Sequence, residues 1–202
     1  MILCDIGNTS YHFQTPEKNY KEDVINFNPM DIKEKVYYIS VNELVQKKLS
    51  SLENWVDISD AIDMSQYYST MGKDRIVAME SVSNAVIVDA GSAITVDIVR
   101  ENIFEGGFIF PGVNAMQETY KRISPALDYV LNFDINLEKL PKNSQDAISY
   151  GVLKLLYNEV ISYRLPIILT GGDAHVLQKI FHDASVDEAL IFTGMKKLII
   201  KL

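Results

Sequence analysis

Asp89-Ala90-Gly91-Ser92-Ala93-Ile94-Thr95-Val96-Asp97 reads as a strand end, a tight turn and a returning strand. Asp5-Ile6-Gly7-Asn8-Thr9 carries the same Asp-x-Gly turn near the start of the chain. A β-rich run precedes each aspartate (Ile2 to Ile6, Ala85 to Val88) and a second follows each turn (Ser10 to Gln14, Ile94 to Val99). Two such units imply an internal repeat of strand, strand, strand, helix, strand, helix. The fold class expected is therefore α/β, with two similar lobes, each a mixed sheet with flanking helices, bounded at 1–83 and 84–202. They would face each other across a cleft, where a ligand is expected.

Outward from these turns, the first half offers strands at Val24 to Phe27, Val36 to Ser40 and Trp55 to Ile58. Apolar residues at 41, 44, 45, 49 and 52 keep the helical period, and a second helix is expected over Asp74 to Ser81. In the second half Ile103 to Phe110 reads as a strand containing Gly106-Gly107, and Pro111-Gly112 opens a helix to Ile123. A long helix over Ser144 to Tyr163 precedes a buried strand, Pro166 to Thr170, that ends in Gly171-Gly172. Helix Ala174 to His182, strand Ala189 to Phe192 and a closing helix from Met195 complete the reading.

Composition narrows the classes. The chain has 202 residues, 48% of them hydrophobic, and 19 basic against 27 acidic side chains give a net charge of -8. A chain of this size buries roughly 70% of its unfolded surface, so a sizeable core is available. Its acidity disfavours a nucleic-acid partner, because the basic residues form no run longer than pairs such as Lys47-Lys48 and Lys196-Lys197. The single cysteine, Cys4, can form neither an internal disulfide nor a zinc site, which places the expected home in a reducing cytoplasm. No apolar run approaches the roughly 18 residues of a membrane span, and Asp5 interrupts any signal-peptide pattern at the first residues.

A strand ending in Asp-x-Gly presents backbone N–H groups and a short polar side chain, which together cradle an anion. Glycine lets a phosphate approach the backbone closely. Asp5 would repel that phosphate unless a divalent cation lay between them, so its presence argues for Mg²⁺ and a nucleotide polyphosphate. The plain alternative is that Gly7-Asn8 forms a type I′ hairpin turn. Other nucleotide signatures are absent: Gly72-Lys73 is followed by Asp74, so no P-loop exists, and no G-x-G-x-x-G exists either. G-x-S-x-G is also missing, and His12, His175 and His182 lie far apart in sequence.

The duplicated Asp-x-Gly lobes resemble the actin, hexokinase and Hsp70 group, whose lobes are ribonuclease-H-like. In detail the chain is similar, nearly end to end, to the type III pantothenate kinases. The residues carrying the resemblance are Asp5 to Thr9, Gly72-Lys73-Asp74-Arg75 at a G-x-D-R motif, Asp89 to Asp97, Gly106 to Gly112, Asn143-Ser144 and Thr170-Gly171-Gly172. What the resemblance implies is phosphorylation of the 4′-hydroxyl of pantothenate by ATP, the first step of coenzyme A biosynthesis, in a homodimer.

By that resemblance Asp5 holds the Mg²⁺ of ATP, and Ile6, Gly7, Asn8, Thr9 and Ser10 hold phosphates from one lobe. Ser92 and Thr95 grip them from the other, and Gly171-Gly172 leave room for the adenosine. Asp74 is the expected general base, and Arg75 the bidentate ligand of the pantothenate carboxylate. Gly72, Lys73, Gly107 and Tyr68 line the substrate side, with Tyr67 as the rival to Tyr68. Asp89 matches the site of a monovalent cation, potassium or ammonium, although from sequence a second Mg²⁺ ligand is equally suitable chemistry.

Plainer readings stand beside these. Asp74-Arg75 would be an exposed pair at a helix start, Gly106-Gly107 a bulge, and Gly171-Gly172 a strand-to-helix turn. Ser144 matches the hydroxyl that a neighbouring subunit contributes in the family, at the start of a helix apolar enough to lie in a core or against a partner. Ser92 and Ser144 stand where the family usually has threonine, keeping the hydroxyl and losing a methyl. Rival functions are another small-molecule kinase or phosphatase of the same superfold, or a regulatory protein that binds nucleotide without turnover.

Overall fold

The computed structural model describes residues 1–202 and resolves into two compact units, 1–81 with 189–202, and 82–188. In the first unit five strands, β1 (Ile2–Ile6), β2 (Ser10–Gln14), β3 (Asn19–Asp23), β4 (Val36–Ser40) and β5 (Trp55–Asp57), lie in the order β3-β2-β1-β4-β5. The hairpin strands β1, β2 and β3 pair antiparallel, and β4 and β5 add parallel to β1. The second unit repeats this with β6 (Ala85–Ala90), β7 (Ala93–Arg100), β8 (Ile103–Pro111), β9 (Ile167–Thr170) and β10 (Ser185–Val186), in the order β10-β9-β6-β7-β8. There too the first three strands are antiparallel and the last two parallel. The internal repeat is therefore real at the level of strand order and sense.

In the first unit, alternation along β1 and β2 sends Cys4, Ile6, Tyr11 and Phe13 to one face, with Val45 and Leu49 of α1 (Glu43–Leu49) in the same cluster. Asn42 caps that helix, its side-chain oxygen accepting from the N–H groups of Leu44 and Val45. The cluster is largely aromatic: Tyr11 meets Phe27 at 4.8 Å between ring centroids, and Trp55 lies 6.0 to 6.2 Å from Tyr38, Tyr11 and Phe13. Burying each such ring contributes about 1.5–3 kcal/mol, and each favourable ring pair adds about 0.5–1.5 kcal/mol. In the second unit Val86, Val88 and Ala90 of β6 join Ile94, Val96 and Ile98 of β7 in a core closed by α3 (Val113–Ile123), α4 (Ser144–Ser162) and α5 (Ala174–Leu177).

Four expectations change. The third strand of the first unit is Asn19–Asp23, not Val24 to Phe27. Thr15 N–H donates to the Lys18 carbonyl, and Thr15 Oγ1 accepts from Glu17 and Lys18, so the chain reverses at once after β2. The resulting strand is a polar edge, and edges commonly carry charge to discourage further pairing; Val24 and Phe27 pack on the core from a turn. Pro111 ends β8 instead of opening a helix, and Gly112 is the N-cap of α3.

The apolar run at Ala189 to Phe192 is the start of a helix, α6 (Leu190–Lys201). A short apolar run fits either state, and here Leu190, Met195 and Leu198 continue at helical spacing to a buried face. This helix, expected in the 84–202 lobe, belongs to the first unit, where it packs on α2 (Lys73–Met79). Gly194 is the contact point: a Cβ there would overlap the Val77 carbonyl oxygen.

Burial pushes the phenols of Tyr11 and Tyr38 up to about 12, with minor help from Cys4 and Asp57 respectively. A raised phenol favours the neutral folded form, so this stabilisation is complete below the unfolded value of about 10 and is lost as pH rises toward about 12. Fluorescence of Trp55, the one tryptophan, is expected to report loss of the first unit's packing in that window.

Candidate functional site

Both Asp-x-Gly aspartates stand near the carboxyl end of a strand that is central in its sheet. Asp5 lies in register between His12 of β2 and Ile39 of β4. After it, Gly7 N–H donates to the Ser10 carbonyl at 3.0 Å, Val41 N–H to Ile6, and Val24 N–H to Thr9. Asn8 and Thr9 are exposed at the turn. The type I′ alternative fails here, because that turn needs positive φ at its central residues. The non-glycine residues with positive φ are Glu101, Asn102 and Arg164, and the glycines Gly106 and Gly171.

A type I′ turn does occur in this chain, at Glu101-Asn102 between β7 and β8, with φ of 53° and 64°. Gly7 is required by neither dihedral nor crowding: a Cβ there would meet only the Ser10 carbonyl, at 3.8 Å. What its missing side chain leaves open is the outer face of the loop. That is the condition for a phosphate to reach the backbone.

In the second unit Asp89 lies between Thr95 of β7 and Thr170 of β9, so carboxylate and hydroxyls form one row across three strands. Thr95 Oγ1 is buried with no hydrogen-bond partner, an orphan of the kind that calls for a bound group. Two glycines press against this row. Gly171 has φ +86°, and a Cβ on it would overlap Asp89 Oδ1 and the Ala90 carbonyl. Gly112 is buried, and a Cβ on it would overlap the carbonyls of Gly91 and Ser92. The turn at 91–92, the start of α3 and the Gly171-Gly172 turn thus converge on the carboxyl end of β6. Open α/β sheets bind ligands at such strand ends.

The G-x-D-R segment is built around α2. Gly72 is its N-cap, and a Cβ there would overlap Asp74 Oδ1, which accepts a 2.8 Å bond from the Arg75 N–H. Lys73 is half-buried, and Arg75 is only 7% exposed. The exposed-pair reading of Asp74-Arg75 is thereby excluded. Arg75 Nη1 donates to the Tyr68 hydroxyl at 2.7 Å, which ties that tyrosine to this motif.

Gly106 and Gly107 do lie at an irregularity, a register shift at Ile98/Val99, with Gly106 at φ +143°. Both glycines also line an open groove of about 390 Å³ that includes Ile98, Phe108 and Tyr163. Gly107 pairs with Asp97, a carboxylate buried to 1% exposure that the motif reading quoted without assigning a task. Ser144 is the first residue of α4, where Asn143 Oδ1 accepts from the Asp146 N–H at 2.8 Å. Asp146 and Asn132, whose side chains meet there, were not singled out from sequence; the N-x-x-D spacing of 143 and 146 was the available signal.

For cations, no cluster of three or more His, Cys, Asp or Glu side chains exists. The donors present are oxygens: the Asp5 carboxylate in one unit, and Asp89 with Thr95 and Thr170 in the other. Hard cations such as Mg²⁺ and K⁺ suit oxygen ligands, and the orphaned Thr95 Oγ1 fits that chemistry.

Doubled sheets of this order, each with an Asp-x-Gly turn at its central strand, define the actin-like ATPase and sugar-kinase class. A structure from Sinorhizobium meliloti, provisionally assigned as a 2-dehydro-3-deoxygalactonokinase, shares the fold at TM-score 0.58 and 8% identity, over 98% of this chain and 95% of that one. Residues 37–163 match the family model of type III pantothenate kinase. A type III pantothenate kinase of Sulfurimonas denitrificans is 57% identical over 100% of this chain and 98% of its own length. A Campylobacter jejuni structure, provisionally assigned as a Baf family transcriptional activator, superposes at TM-score 0.89 with 37% identity, covering 100% of this chain and 98% of that one. This chain belongs to the type III pantothenate kinase family.

Gly171→Ala is expected to lower stability by at least about 1 kcal/mol, from the left-handed backbone and the overlap with Asp89. Gly172→Ala, where a methyl meets nothing within 4 Å, should stay within about 0.5 kcal/mol of the parent. Chemical denaturation of both variants checks the pair.

Proposed function

We propose that Asp74 accepts the proton of the pantothenate primary hydroxyl as its oxygen attacks the γ-phosphorus of ATP, and that Arg75 holds the pantothenate carboxylate. The reaction is the family's own: ATP-dependent phosphorylation of pantothenate to 4′-phosphopantothenate, the first step of coenzyme A biosynthesis. The observation that carries the residue roles is the buried, tyrosine-anchored guanidinium of Arg75 beside an ordered Asp74. A planar guanidinium binds a carboxylate bidentately, and an anchored one does so with less loss of freedom. Gly72, Lys73, Tyr68 and Gly107 border the substrate.

Phosphoryl transfer is mostly positioning and neutralisation of charge. The new O–P bond forms as the β–γ bridging bond breaks, ADP leaves, and the hydroxyl proton passes to Asp74. The backbone at Ile6 to Ser10 with the side chains of Asn8 and Thr9, and the hydroxyls of Ser92 and Thr95, would orient phosphates. Gly171 and Gly172 leave space for the adenosine. Asp5 would hold a divalent cation that neutralises phosphate charge, and Asp89 with Thr95 and Thr170 would hold a monovalent one, K⁺ or NH₄⁺. The cytoplasm, where ATP is abundant, is the compartment that suits this activity, and no helix is long and apolar enough to cross a membrane.

The test is pantothenate-dependent ADP release by the purified protein, with and without K⁺ or NH₄⁺. Asp74→Asn should lower kcat by at least about 10²-fold with little change in pantothenate KM; an effect confined to KM would remove Asp74 from the role of base. The Baf designation of the Campylobacter structure keeps a regulatory reading in view. ATP binding with no pantothenate-dependent turnover under any cation condition would favour it.

We propose further that the chain acts as an isologous homodimer. Ile148, Val152, Leu156 and Val160 of α4 face their own core, so the aliphatic content of the helix needs no partner. Its outward stripe does: Ser144, Ala147, Gly151 and Leu155 are exposed, with Leu155 at 67% and open space around Gly151. Small residues on such a stripe let a second helix approach. If Ser144 completes the partner's substrate site, mixing Asp74→Asn protomers with Ser144→Tyr protomers restores activity, because one site of the mixed dimer carries neither lesion. A fully active monomer in sedimentation, or no recovery after verified subunit exchange, overturns the arrangement.

A further inference from the structure

Ser144 is the first residue of α4, and the first turn of a helix frays unless its free N–H groups and side chains are tied down. Ordinary capping is supplied by Asn143, whose Oδ1 takes the Asp146 N–H at 2.8 Å. Asp146 does more than this requires. Its Oδ2 accepts from Asn143 Nδ2 at 2.7 Å, and its Oδ1 accepts from Asn132 Nδ2 at 2.8 Å, across 14 residues of chain.

The segment so gripped is tied at three more points. Asn132 N–H donates to Ser149 Oγ at 2.8 Å, Gln145 Nε2 donates to the Val130 carbonyl at 3.0 Å, and Leu131 N–H donates to Gln117 Oε1 of α3 at 2.9 Å. Ser149 is fully buried and donates to the Gln145 carbonyl at 2.8 Å. Asp146 is the one ionisable member of a closed network that locks the 130–132 segment and the turn carrying Ser144 into one piece.

We propose that Asp146 is a positioning residue for the pantothenate site: through Asn143 and Asn132 it holds the Ser144 hydroxyl where the substrate needs it. This rests on the reading of Ser144 as a substrate contact. The two amide hydrogen bonds, that from Asn132 first, hold the Asp146 carboxyl below the ordinary aspartate range. The network therefore stays intact at neutral pH and weakens only as pH falls below about 4. Because Ser144 would act on the substrate away from the reacting hydroxyl, loss of its placement belongs in KM and not in kcat.

The chemistry of the network supplies its own test. Asparagine at 146 offers one acceptor and one N–H₂ to two amide donors, so one hydrogen bond is lost. Exchanging the pair, Asn143→Asp with Asp146→Asn, restores all three: aspartate at 143 still caps the helix and now accepts from the amide at 146, whose oxygen accepts from Asn132.

Pantothenate KM and kcat are measured with thermal unfolding for Asp146→Asn, for the exchanged double variant and for Ser144→Ala. Expected are a KM raised about five- to tenfold in Asp146→Asn, as for one lost hydrogen bond, kcat within about twofold, and recovery of KM in the double variant. Unchanged KM in Asp146→Asn with a raised KM in Ser144→Ala overturns the role of Asp146 alone. An unchanged KM in Ser144→Ala overturns the assignment of Ser144 and the proposal with it. Should Asp146→Asn fail to fold, a folded double variant decides: KM near the parent value supports the proposal, and KM still raised overturns it.

Discussion

Gly171 cannot carry a side chain, because a Cβ there would overlap the Asp89 carboxylate and the Ala90 carbonyl, on a backbone at φ +86°. That contact follows from β6 and β9 running parallel with Asp89 opposite Thr170. It ties the turn after β9 to the end of β6, and Asp173 N–H donating to the Ala90 carbonyl at 2.9 Å completes the tie. Gly112 presses on the other side of the same strand end, against Gly91 and Ser92. Much of the second unit's geometry at this strand end, from the Thr95–Asp89–Thr170 row to the start of α3, depends on these two missing side chains.

The first unit reaches a comparable arrangement with less crowding. Asp5 occupies the central strand as Asp89 does, and β4 adds parallel to β1 as β9 adds to β6. Yet Gly7 meets only ordinary contact from Ser10, so no packing within the unit requires its bareness. The duplication preserves strand order and the position of the aspartate while letting each loop specialise. The nature of the core differs too: edge-to-face aromatic contacts around Trp55 in one unit, aliphatic packing around β6 and β7 in the other.

The legible parts were those in which a residue type has one physical use. Asp-x-Gly after a β-rich run marked both strand ends, whereas the folding of the Asp74 carboxylate over Gly72 became visible only in the structure. The edge strand Asn19–Asp23 was hidden because an edge is selected for charge, which erases the period-two signal. Ala189 to Phe192 misled for the opposite reason, since four apolar residues fit a buried strand as well as the first turn of a buried helix. The burial of Arg75 had no sequence signal at all. Asp74-Arg75 in isolation looks like any solvated pair at a helix start.

What the sequence by itself determined is the doubled α/β plan, the two aspartates at strand ends and the family, because turn chemistry and hydrophobic period are local properties of the chain. Only the tertiary structure decided that α6 belongs with the first unit, that Arg75 is bonded to the Tyr68 hydroxyl, and that Asp146 reaches back to Asn132. Each is a contact that no local signal in the chain pairs. Such choices are made by packing: the close approach at Gly194, the direction a guanidinium must point once buried, and the two acceptors a carboxylate offers where an amide offers one.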